Sequence, residues 1–111
     1  MERGDIYLGV PPDDDPRRQR VYVIVSRAEL IASRYSTVIC APVYSNRTGV
    51  PTEVSLGPEH GLKNDSAMRC DELTSVRKSR LVRFVGHIPT AKIQEVDQAL
   101  VTALAISLAG A

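Results

Sequence analysis

Residues 81–108 read LVRFVGHIPTAKIQEVDQALVTALAISL, and inside this stretch the pattern changes from strand to helix. Leu81 to Ile88 reads as a last strand. From Thr90 onward Ile93, Val96, Leu100, Val101, Leu104 and Leu108 recur at three- and four-residue spacing. That period predicts one amphipathic helix of about four to five turns, packed on a sheet, with Thr90 as its cap.

Working back from this point, the chain is a series of short strands. Ile6 to Val10 is the first, closed by Pro11 and Pro12, which remove two backbone donors. A charged loop, Asp13 to Gln19, leads to Val21 to Val25, a β-branched and aromatic run that suits a strand buried on both faces. Ala28 to Ser33 suits one or two helical turns, with Ser26 as cap and Glu29 in the first turn. Thr37 to Tyr44 is a third strand, and a bend is expected near Pro42, because a central ladder takes Pro only with a bulge. Ser45 to Gly49 is a polar loop, and Thr52 to Leu56 alternates as a half-exposed strand does. Gly57, Pro58 and Gly61 punctuate a long turn. Ser66 to Cys70 is a further strand, and Thr74 to Ser79 is short enough to be one helical turn. Many short strands and one terminal helix, without βαβ alternation, predict a mostly β (α+β) fold. Its core would be a curled antiparallel sheet or small barrel with helices at one side.

At 111 residues the chain has the size of one domain, spanning 1–111. Its 43% apolar content with five aromatics and no Trp builds an aliphatic core rather than a deep, aromatic-lined cofactor cavity, so no cofactor is expected. The formal charge is only +1, so any affinity for a polyanion must come from where the charges sit. They are unevenly placed. Asp13, Asp14 and Asp15 precede Arg17, Arg18 and Arg20, and Arg77, Lys78, Arg80 and Arg83 form a second basic cluster. Cys40 and Cys70 read as core thiols, His60 as a loop side chain and His87 as a strand side chain; at these spacings no zinc site is expected. With no charged-then-apolar leader and no apolar run near the roughly 20 residues that span a bilayer, the expected setting is the cytoplasm, away from membranes.

Several segments, in order, carry a resemblance. Met1-Glu2-Arg3-Gly4-Asp5-Ile6-Tyr7 has an Arg-Gly-acid triplet before an apolar-aromatic strand, and Arg20 to Ser26 opens a second strand on Arg. Val38 to Ser45 is similar to a Val-Pro-Val-Thr-Ser run, and Arg69-Cys70-Asp71-Glu72-Leu73 to an Arg-Cys-Asp-Gln segment. Ser79-Arg80-Leu81 and Val85-Gly86-His87-Ile88 complete the series. Together they resemble the MazF/PemK (Kid) toxins of type II toxin-antitoxin systems over nearly the whole chain. The resemblance implies an SH3-like barrel, a homodimer, and a metal-independent, sequence-specific endoribonuclease acting on single-stranded RNA. It also implies a cognate antitoxin whose acidic, disordered segment covers the RNA groove.

RNA carries its own nucleophile. A 2′-hydroxyl attacking the adjacent phosphate gives a 2′,3′-cyclic phosphate and a 5′-hydroxyl, so the protein needs only to position the strand, move protons and stabilise the oxyanion. The resemblance implies Arg20, Ser45 and Asp71 as catalytic residues. Arg20 would supply a permanently charged fork for phosphate oxygens, Ser45 a phosphate contact and Asp71 a base. Arg69 and Asp71 would share a face if Ala67 to Glu72 is extended. Tyr44, Arg69, Glu72, Asn46, Arg47, Arg17 and Arg18 complete the implied RNA-binding set, Tyr44 by hydrogen bonding or stacking. The chain departs from the family pattern at three points: Tyr44 stands in place of a small hydroxyl residue, Val21 in place of Pro, and the first loop has no His. Two other readings are a gyrase-binding toxin of the CcdB kind, whose Trp-Gly-Ile end is absent here, and a non-catalytic RNA- or antitoxin-binding module.

Overall fold

The structure is a computed structural model that describes residues 1–11, 13 and 15–107. Seven strands form one antiparallel sheet: β1 (Asp5–Gly9), β2 (Arg20–Ile24), β3 (Thr37–Tyr44), β4 (Glu53–Leu56), β5 (Ser66–Arg69), β6 (Thr74–Arg77) and β7 (Leu81–His87). Helix α1 (Ala28–Ala32) joins β2 to β3, and α2 (Thr90–Ala103) follows β7. The hydrogen-bonded order is β4-β5-β3-β2-β1-β7, with β6 beside β3 as well. The long strand β3 serves two partners on one side: β6 along Thr37 to Cys40, and β5 at Val43 and Tyr44. Pro42, which has no N–H to give, lies in the gap between them, and its pairing with Tyr22 of β2 shows no register shift. The irregularities expected there fall instead between β1 and β7.

Residues 74–77 correct the sequence reading. Only Val76 is apolar there, so nothing local marks a strand, yet pairing with β3 makes one, and the helical turn is confined to Lys78–Arg80. That turn carries the chain into β7, which pairs with β1. Strands β1, β2, β3, β6 and β7 therefore wrap round a small inner core of Ile24, Val38, Cys40 and Leu81, with Ile31 of α1 packed against it. No ladder joins β6 to β7 among the described residues, so the curl is not closed.

The alternate residues face outward. Ile6, Val23, Ala41, Val54 and Met68 are fully buried there beneath Val96 and Ala99 of α2, with Ile93, Leu100 and Ala103 packed alongside. Val23 and Ile24, adjacent and both at 0% exposure, bury both faces of β2.

Helix ends differ from expectation. Ser26 accepts a hydrogen bond from Ile39 N at 2.7 Å rather than capping α1, whose cap is Arg27; Pro89, not Thr90, precedes α2. Helix α2 stops at Ala103, and Leu104 is 55% exposed; Leu108 lies outside the described residues. The stop is a Schellman motif: Ala105 has φ 54°, Ala105 N donates to Thr102 O and Ile106 N to Val101 O. No Gly signals it. Among the described residues no helix is long and apolar enough to cross a membrane.

Candidate active site

Pairing of Val21 with Val43 leaves Arg20 and Tyr44 side by side at the ends of β2 and β3. Tyr44 pairs with Ala67, and Glu53 with Arg69. Alternation then puts Arg20, Tyr44, Arg69 and Glu53 on the inner face in neighbouring strands, beyond the mouth of the curl. The guanidinium carbons of Arg20 and Arg69 lie 4.6 and 4.0 Å from the centre of the Tyr44 ring, a double cation–π contact.

Strand β5 ends at Arg69 because Cys70–Glu72 is a 3-10 turn, so the extended Ala67 to Glu72 of the sequence reading is not formed. Three residues per turn bring Glu72, not Asp71, back beside Arg69. Arg69 Nη1 donates to Glu72 Oε2 at 3.3 Å, and the Tyr44 hydroxyl donates to Oε1 at 2.6 Å. Arg69 Nε lies 3.5 Å from Glu53 Oε2 and is buried without a hydrogen bond among the described residues. Glu53 accepts from Thr48 N and Gly49 N at 2.9 and 2.8 Å, tying the β3–β4 loop to this cluster. Two carboxylates thus oppose Arg69, whereas among the described residues no carboxylate pairs with Arg20. Arg20 is the cation of the cluster left to meet an anion.

The Tyr44 hydrogen bond holds the Glu72 carboxyl below the usual glutamate value; burial opposes this in part and Arg69 reinforces it. The same bond pushes the Tyr44 phenol up, since ionising it would set a phenolate against a carboxylate. Glu72 is therefore held as a carboxylate and Tyr44 keeps its proton.

A groove of about 620 Å³ opens at these strand ends, with Arg20, Tyr44 and Ser45 on one side and Leu62, Lys63 and Arg83 on the other. Its far wall stands on a close approach of two backbones. A Cβ at Gly86 would run into the carbonyl oxygen of His60, and one at Gly61 into that of Val85. His60 is buried in this turn, accepting from Gly57 N at 3.2 Å through Nδ1. A second groove of about 580 Å³ lies at the mouth of the curl, lined by Arg17, Arg18, Arg77 and Arg80; Gln19 and Arg20 line both grooves.

The expected site residues are only partly brought together. Arg20, Tyr44 and Ser45 share the first groove, with Arg69 and Glu72 held to Tyr44. Arg17 and Arg18 line the second groove and pair with Asp15 at 3.2 Å and Asp13 at 2.8 Å. Arg47 turns onto β4, donating to Ser55 Oγ at 3.1 Å, and exposed Asn46 lines neither groove. Asp71 also lines neither, and its Oδ2 accepts from the buried Thr52 hydroxyl at 2.6 Å. Sequence reasoning missed Glu53 and Lys63. Arg83 had a signal, its place in the second basic cluster; Lys78 of that cluster instead caps α1, donating to the carbonyls of Leu30 and Ser33. Cys40 and Cys70 are buried thiols pushed up to about 12 and about 11 by burial, with the charge of Asp71 adding to the second. Glu2, Asp5 and His87 bring one ligand-type atom each within 4.8 Å of one another, but both Asp5 oxygens are already engaged, by His87 Nδ1 and Glu2 N, each at 2.7 Å.

Residues 2–104 match the family described as PemK-like, MazF-like toxin of type II toxin-antitoxin system. Endoribonuclease MazF2 of Mycobacterium bovis is 30% identical, over 90% of this chain and 93% of its own. Endoribonuclease MazF9 of Mycobacterium tuberculosis is 33% identical, over 90% and 92%. Among solved structures, Mycobacterium tuberculosis toxin MazF-mt6 superposes with a TM-score of 0.82 at 20% identity, over 93% of this chain and 98% of that one. A mycobacterial endoribonuclease in complex with its cognate antitoxin gives 0.82 at 23% identity, over 96% and 97%. This chain belongs to the PemK-like, MazF-like toxins of type II toxin-antitoxin systems.

Proposed function

We propose that this chain, acting as one domain, is the toxin of a toxin-antitoxin pair and cleaves single-stranded RNA without a metal. The observation that carries this reading is Arg20, a guanidinium with no carboxylate partner among the described residues, stacked on Tyr44 beside Ser45 at a groove. Such a fork grips the scissile phosphate and stabilises the charge that grows on its oxygens as the neighbouring 2′-hydroxyl attacks. The new O2′–P bond displaces O5′, leaving a cyclic phosphate and a 5′-hydroxyl. Ser45 is a second donor to the phosphate. Of the two carboxylates Glu72 is the one joined to the groove, through Tyr44, whereas Asp71 bonds Thr52 outside the groove lining, so Glu72 is taken as the base. Arg69, neutralised by Glu53 and Glu72, positions Tyr44 and Glu72.

A cognate antitoxin controls the enzyme by laying an acidic, disordered segment over the same cationic groove. The cytoplasm, where the RNA substrate is made, is the site of action. Exposed Val82 and Phe84 on edge strand β7, at 55% and 56%, are apolar surface that a second copy would cover in a homodimer.

The test is incubation of a long RNA with the protein in EDTA, followed by analysis of the product ends. Fragments with 5′-hydroxyl and 2′,3′-cyclic phosphate ends are expected. Intact RNA under EDTA, or 5′-phosphate ends, would refute the proposed chemistry. Competition between an acidic antitoxin peptide and labelled RNA, read by anisotropy, tests the control; simultaneous binding would count against it.

A further inference from the structure

Glu53 lines neither groove, yet two parts of the site meet on its carboxylate. Oε1 accepts from Thr48 N at 2.9 Å and from Gly49 N at 2.8 Å, closing the loop that begins at Ser45. Oε2, 3.2 Å from Thr48 N, faces Arg69 Nε at 3.5 Å. Consecutive backbone N–H groups turned on one anion make a small binding concavity, and Gly49, at φ 80°, has the left-handed backbone that such a turn uses. The carboxylate is fixed from behind. Thr52 and Val54 on either side of it are buried, the ladder sets Glu53 opposite Arg69, and the Glu53 side chain is only 7% exposed. Arg69 is thereby held at both ends, Nε by Glu53 and Nη1 by Glu72 at 3.3 Å. With Glu53 gone, the guanidinium would fall wholly to Glu72 and compete there with the Tyr44 hydroxyl.

We propose that Glu53 is a positioning residue for RNA cleavage: its carboxylate locks the loop of residues 45–49 and Arg69 into one unit, so that Ser45 and the Glu72 carboxylate keep a fixed relation across Tyr44. This rests on the ribonuclease reading and deepens it, since Glu53 acts through its neighbours and makes no contact with the RNA. A polar loop at a strand end otherwise samples many conformations, and a reacting group displaced by about 1 Å loses on the order of 10²-fold in rate. The division of labour between the two oxygens makes the role separable by substitution: one is spent on the loop, the other on the arginine.

The test is steady-state cleavage of one labelled RNA in EDTA by wild type, Glu53→Gln, Glu53→Ala, Arg69→Gln and the double variant Glu53→Gln/Arg69→Gln, with melts run in parallel. In Glu53→Gln the amide oxygen still takes the loop N–H groups, but the charge facing Arg69 is gone. Its kcat is expected to fall about 10- to 100-fold, with KM within about threefold of wild type. Glu53→Ala frees the loop as well, so KM should also rise. The Thr48 and Gly49 amides, slow to exchange with deuterium in wild type and in Glu53→Gln, should then exchange fast. In the Arg69→Gln background Glu53→Gln should cost less than about twofold more, because both act along one path. Should Glu53→Gln not fold, the same cycle is run with Glu53→Asp, which keeps the charge but is one methylene too short to hold loop and arginine together. A kcat for Glu53→Gln within about twofold of wild type, or losses that simply multiply in the double variant, would overturn the positioning role and leave the ribonuclease reading standing. If wild type does not cut, both readings fall.

Discussion

The outer face of the sheet buries Val23, Ala41, Val54 and Met68 completely under α2, whereas the inner face is closed only round Ile24, Val38 and Cys40 and ends in Arg20, Tyr44 and Arg69. Both faces belong to the same strands. Alternation hands each strand one set of side chains to lock and another to leave free. Val21 and Val43 lie toward the outer core, and their neighbours Arg20 and Tyr44 are thereby held at fixed spacing on the other side. A site on strand ends, stiffened from behind, keeps its charges in place before any ligand arrives.

If the two faces divide the labour in this way, substitutions should separate stability from cleavage. The largest effect is expected at Glu72. Glu72→Gln removes the proposed base and should slow cleavage about 10²- to 10⁴-fold with melting unchanged, whereas Asp71→Asn should retain cleavage within roughly tenfold. The opposite ranking, measured on one labelled RNA, would return the base to Asp71. The pH profile sharpens this. An ionised base is lost as pH falls through its pKa, so with Glu72 held low the acid limb should lie below the ordinary glutamate value of about 4.3. Tyr44→Phe removes the bond that lowers it and should move that limb upward.

On the outer face, Met68→Ala should cost about 2–5 kcal/mol in urea unfolding, because the fully buried side chain leaves a cavity. Cleavage per folded molecule should persist. A smaller effect is expected where α2 ends: Ala105→Gly relieves a left-handed Ala and should stabilise by about 1 kcal/mol, read as a rise of a few degrees in Tm.

Wherever a local period decided the outcome, the sequence was readable: β2, β3 and the buried face of α2 follow directly from their patterns. Elements decided by a distant partner were not. Thr74–Arg77 carries a single apolar residue and becomes a strand only because β3 has a free side there. Asp71 leaves the expected face because the chain turns at Cys70, which no residue type near it announces. The Glu53–Arg69 pair depends on β4–β5 register, a non-local quantity. Arg20 was legible through its place in a family pattern; that no carboxylate forms an ion pair with it among the described residues, beside an Arg69 that has two, emerged only from the fold.

The most direct measurement compares Arg20→Ala with wild type on one labelled RNA in EDTA, at saturating substrate, with thermal melts run in parallel. A loss of about 10²- to 10³-fold at unchanged Tm is the expected result, the scale of removing one preorganised donor from a developing oxyanion. Cleavage by Arg20→Ala within a few-fold of wild type would contradict the assignment of this groove as the place where the phosphate is held.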